Sequence, residues 1–113
     1  MAAEGGRTVI LRDSRDEGGS RYLAAKLAAG TLRIEGQDLG QSVEDILGDR
    51  EYEWTWTVAA AAIPAAVQAL GGDPGSDPLA VVATWSAANG GADPGQCLRD
   101  AGVAIEFWSR IGD

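Results

Sequence analysis

The chain has 113 residues, 45% of them hydrophobic and 23% charged, the make-up of one ordinary folded domain able to build a core without metal or disulfide staples. Its 17 acidic side chains against 9 basic ones give a formal charge of −8, which disfavours binding to nucleic-acid phosphates or to anionic membranes. Histidine is absent and Cys97 is the lone cysteine, so zinc-finger spacings, His-based triads, haem attachment and intrachain disulfides are excluded together.

The lead-in from Met1 to Gly6 has no basic region followed by an apolar run and reads as a frayed or disordered start to a single domain over residues 7–113. With one unpaired cysteine, the cytoplasm is the expected compartment. The most apolar stretch, Val58 to Leu70, is too short to cross a bilayer and contains Pro64 and Gln68.

Arg7 to Asp13 (RTVILRD) reads as a strand, which the polar, glycine-containing stretch Ser14 to Ser20 should end. Arg21 to Ala28 alternates, with Leu23, Ala25 and Leu27 opposite Tyr22, Ala24 and Lys26. Ala29-Gly30 makes a tight connection, and Thr31 to Leu39 resumes with Leu32 and Ile34 opposite Arg33 and Glu35, so the two form an antiparallel hairpin. Ser42, with Asp45 three residues later, resembles a capping box and predicts a short helix that Gly48 ends. Glu51 to Val58 (EYEWTWTV) alternates most clearly: Tyr52, Trp54, Trp56 and Val58 face a core while Glu51, Glu53, Thr55 and Thr57 stay wet.

Beyond residue 59 the chain turns alanine-rich and helical. Ile63, Val67 and Leu70 share a face, Pro64 suits a first turn, and Gly71-Gly72 closes the helix. Asp77-Pro78 and Asp93-Pro94 each place a capping residue before a first-turn proline, predicting helices over about Leu79 to Asn89 and Gly95 to Ala101. Gln96, three residues after Asp93, completes a second capping box, and Gly102 marks the stop. Val103 to Arg110 reads as a last strand. The order β-β-β-short α-β-α-α-α-β indicates an α+β fold, a mainly antiparallel sheet of four to five strands with helices on one face.

Charge is unevenly placed: residues 1–33 carry net +2 and residues 34–113 net −10. Glu35, Asp38, Glu44, Asp45, Asp49, Glu51 and Glu53 fall within nineteen residues that contain one cation, Arg50. If the strands bearing Glu35 and Glu51 to Glu53 lie side by side, their polar face can steer a basic partner, although a solvated face would show the same charges. In the last strand Trp108 and Phe107 point opposite ways, and Trp108 is the candidate exposed anchor. Glu35, Asp38, Asp49, Glu51, Glu53 and Trp108 are therefore the candidate partner-binding residues.

No catalytic residue, metal site or cofactor is assigned. Glu35 with Glu51 or Glu53 could act as acid and base only if burial raised one pKa, and the Asp13 to Gly18 and Asp73 to Asp77 loops do not match EF-hand spacing. Cys97 lies one turn into a helix and reads as a small buried residue.

Residues 32–40 (LRIEGQDLG) followed by residues 48–54 (GDREYEW) resemble a pattern in small, mostly uncharacterised bacterial proteins of actinobacterial type, some of which look like immunity proteins of toxin systems. The resemblance spans about residues 20–70. It implies a compact, non-enzymatic module and carries no catalytic residue with it; short, acidic, one-domain chains also suit proteins that block a basic nuclease or another basic toxin by charge complementarity. The expected function is thus an immunity or antitoxin factor binding through Glu35 to Glu53, with self-association compatible. The alternative is a small enzyme or ligand-binding domain using carboxylates in a pocket between sheet and helices.

Overall fold

The computed structural model describes residues 6–40 and 51–111. The short helix expected after Ser42, the acidic residues Glu44, Asp45 and Asp49, and the lead-in up to residue 5 lie outside the described residues. Strands β1 (Arg7–Asp16), β2 (Gly19–Ala28), β3 (Thr31–Leu39), β4 (Glu51–Val58) and β5 (Glu106–Ile111) form one antiparallel sheet in the order β1-β2-β3-β4-β5. Between β4 and β5 the chain makes a 3-10 turn (Ala60–Ala62) and three helices, α1 (Ile63–Ala69), α2 (Pro78–Ala88) and α3 (Gly95–Asp100). The class is α+β.

The first hairpin is longer than its polarity suggests. Ser14 to Asp16 and Gly19-Ser20 are ladder residues rather than loop, and only Glu17-Gly18 turn, with the Asp16 carboxylate accepting from the Gly18 N–H at 2.8 Å. Exposed edge strands need no apolar alternation, so polar residues there hide a strand. The second turn is as expected, but Ala29 joins Gly30 at positive φ, +52° and +77°, the left-handed pair that matches the twist of a two-residue hairpin.

Alternation then sets two faces. Leu23, Ala25, Leu32, Ile34, Trp54, Trp56 and Val58 point to one side, where Ala66, Leu70, Leu79, Val82, Leu98 and Val103 from the helical segment cover them. Helix α2 begins as read: the Asp77 carboxylate accepts from Leu79 N–H at 3.3 Å and also from the two terminal guanidinium nitrogens of Arg7, at 2.7 and 3.1 Å, which ties the helix start to β1. That Arg7 hydrogen bond holds the Asp77 carboxyl below the usual carboxylate range.

Helix α3 departs from the capping-box reading. Gln96 donates to Asp100 at 2.9 Å instead of returning to the helix start. Asp93 holds the helix start and more: one oxygen accepts from Gly95 N–H at 2.8 Å, and the other accepts from the Trp54 indole N–H at 2.7 Å and the Trp56 indole N–H at 3.0 Å. Two large rings reach that carboxylate because each lies across a glycine. A Cβ on Gly36 would sit 2.1 Å from the Trp54 ring, and one on Gly95 would sit 2.1 Å from the Trp56 ring. Phe107 tilts against Trp56 from β5 at 4.5 Å, and the Arg99 guanidinium stands over the Trp56 ring at 5.2 Å.

The last strand starts later than its apolar residues imply. Val103 N–H bonds to Leu98 carbonyl at 3.1 Å and Gly102 N–H to Arg99 carbonyl at 3.0 Å, so Val103 closes the end of α3 and is buried against the core, and pairing with β4 begins at Glu106.

Candidate functional site: the open face of the sheet

The side of the sheet turned away from the helices is built by the other half of the same alternation. Registered across five strands, it has a row Thr8, Lys26, Arg33, Thr57, Glu106; a second row Ile10, Ala24, Glu35, Thr55, Trp108; and a third row Asp13, Tyr22, Gln37, Glu53, Arg110. Cross-strand neighbours on one face sit close enough to interact in pairs, so each row is a chain of contacts.

Strands β3 and β4 do lie side by side, and Glu35, Glu51 and Glu53 share this face. They do not make it uniformly acidic, because Lys26, Arg33 and Arg110 interleave with them. Glu35 pairs with Lys26 at 2.8 Å, and Glu53 with Arg110 at 3.1 Å. The Gln37 amide donates to Glu51 at 3.0 Å and to Glu53 at 3.3 Å. A hydrogen bond with Glu51 is the main cause that lowers the Glu53 pKa; burial opposes it, and the Arg110 guanidinium and the Gln37 amide add to the lowering. The Glu35 hydrogen bond raises the Lys26 pKa.

Asp38 is not part of that group. One residue out of step with Glu35 and Gln37, it lies on the helix side at the end of β3, opposite Arg21 on β2 and Tyr52 on β4. Burial pushes its pKa up, with Arg21 and Arg12 opposing. Asp49 falls outside the described residues.

Trp108 is 54% exposed and stands at the edge of the second row. Phe107 is also well exposed, at 40%, although it points to the helix side. Trp108 separates two shallow hollows that share Glu35 and Thr55. One, of about 310 Å³, is lined by Tyr22, Glu35, Gln37, Glu53, Thr55 and Trp108. The other, of about 330 Å³, adds Arg33, Thr57, Glu106 and Phe107. The charged groups lining the first hollow are both carboxylates; the second mixes both signs. Tyr22, Gln37 and Thr55 are site residues that single-strand alternation did not single out, because they join the site only through the register of β2, β3 and β4 with β5.

Among the described residues no three His, Cys, Asp or Glu side chains gather at a metal-sized site, and no helix is long and apolar enough to cross a membrane. No protein-family model, curated protein or solved structure matches the chain.

Proposed function

We propose that the protein is a non-enzymatic interaction module whose open sheet face receives a basic protein partner, in the manner of an immunity or antitoxin factor. The observation that carries this reading is the hollow between Tyr22 and Trp108, floored by Thr55 and edged by Glu35, Gln37 and Glu53. An arginine or lysine side chain entering it meets two carboxylates, an amide oxygen and the face of an exposed aromatic ring, the set that a cation favours. Glu35 and Glu53 already hold Lys26 and Arg110, but ion pairs as exposed as these contribute little to stability and can be exchanged for a partner's cation at small cost. Charge at this face would act mainly on the rate of encounter, and Trp108 on the lifetime of the complex.

An arginine-rich peptide is a direct probe. Its affinity and association rate should fall in Trp108→Ala and in Glu35→Gln with Glu53→Gln, while Asp73→Asn with Asp100→Asn, the same charge change made on the helical side, should leave both near wild type. Equal losses from the two double variants would reduce the face to general electrostatics.

A second reading, a ligand-binding or catalytic domain using carboxylates between sheet and helices, rests on Asp38, a half-buried carboxyl with raised proton affinity. A metabolite that raises the melting temperature of wild type but not of Asp38→Asn would support it.

A further inference from the structure

The sheet has two outer edges of different character. Strand β1 is guarded: its register shifts at a bulge between Ile10 and Arg12, Arg7 is tied to Asp77 at the start of α2, and Arg12 donates twice to the Gly91 carbonyl, at 2.8 and 3.1 Å. Bulges and edge cations are the usual means of keeping a strand from pairing further. Strand β5 (EFWSRI) has neither a bulge nor a proline, all six of its residues are exposed, and it carries Phe107, Trp108 and Ile111 among the exposed large apolar side chains.

We propose that β5 pairs antiparallel with β5 of a second copy, in the register centred on Trp108, joining two five-stranded sheets into one. A two-fold axis perpendicular to the sheet keeps the open faces of both copies on the same side, and residues directly opposite must then share a face. Centred on Trp108, the axis sets Glu106 opposite Arg110 of the other copy, twice, and the two Trp108 rings beside each other. The two charges of β5 have opposite sign and stand two residues either side of that tryptophan, so the strand is complementary to itself in this register. Arg110 then lies between Glu53 of its own chain and Glu106 of the second copy, extending the row of alternating charge across the seam. This second copy is a different occupant from the basic partner and takes the outer edge of β5, sharing Trp108 with the hollow but not Glu35, Gln37 or Glu53; the seam places the two hollows on one continuous face.

Sedimentation velocity over a wide dilution series tests the pairing. Wild type is expected to dimerise reversibly, whereas Glu106→Arg and Arg110→Glu should each be monomeric, because every cross-seam pair becomes like-charged. Mixing the two variants in equal amounts should restore the dimer, since both pairs are again of opposite sign. Trp108→Glu, at an exposed position that spares the fold, should be monomeric by facing two carboxylates at the axis. A wild type that is monomeric throughout the series, single variants that dimerise as wild type does, or folded single variants whose mixture stays monomeric would overturn the proposal.

Discussion

Trp54 and Trp108 lie on strands that are hydrogen-bonded neighbours, and each occupies a strand rich in aromatic and charged residues, yet Trp54 is 8% exposed and Trp108 54%. The difference lies in what each side of the sheet can satisfy. On the helix side the indole N–H groups of Trp54 and Trp56 converge on Asp93, and glycines at 36 and 95 make room for the rings. On the open side no helix among the described residues covers Trp108, and charged side chains border it. One face is therefore specified by packing and by a shared acceptor, the other by composition, and changes to them should differ in kind as well as in size.

The strongest way to break the covered face is to remove its clamp. Asp93→Ala leaves two indole donors without their acceptor, and with a cost of about 1–3 kcal/mol for each buried donor left unmade the loss should reach several kcal/mol in urea unfolding. Gly95→Val, which forces a side chain into the Trp56 ring, should do comparable damage, at or above about 3 kcal/mol. Trp54→Ala should cost on the order of 3–5 kcal/mol by emptying the core beneath β3. Asp77→Ala, acting at the start of α2, should cost about 1 kcal/mol through the lost cap, with the exposed Arg7 pair adding little. Trp108→Ala and the pair Glu35→Gln with Glu53→Gln should change stability by less than about 0.5 kcal/mol while weakening peptide binding.

Much of this division is legible in the chain. The run EYEWTWTV separates Trp54 and Trp56 from Glu53 and Thr55 by period alone, and the tight turn at Ala29-Gly30 follows from the two alternating segments around it, although not the positive φ of Ala29. What is not legible depends on long-range register. Asp93-Pro94 reads as a helix start because such contacts are local, and Asp93 does accept from Gly95 N–H, whereas the indoles that also hold Asp93 come from residues 37 and 39 positions away. Asp38 joins an acidic run in sequence but is carried to the other face by a single step of alternation. The cations that neutralise the open face, Lys26 and Arg110, lie outside the acidic segment and reach it only because β2 and β5 flank β3 and β4.

Acidification sharpens the same contrast. Asp77 and Glu53 have pKa values below those of an unfolded chain, so what they contribute is complete above the ordinary carboxylate range, near about 4, and disappears as the pH falls through their folded values. Asp38 has the opposite sign: its charged form is penalised in the folded state, and the penalty lifts as the pH falls and it takes up a proton. Asp38→Asn should therefore gain on wild type as the pH rises from acid to neutral, the smallest of these effects, measured as the difference between two melting curves at each pH.

The separation of the two faces can be read from the indole N–H signals of the four tryptophans in a nitrogen-15 correlation spectrum. As an arginine-rich peptide is titrated into the labelled protein, the Trp108 signal should shift progressively with the Gln37 side-chain amide, while the Trp54 and Trp56 signals, held on Asp93, stay in place. Movement of the Trp54 and Trp56 signals with a stationary Trp108 would contradict the assignment of binding to the open face and put the partner on the helical side.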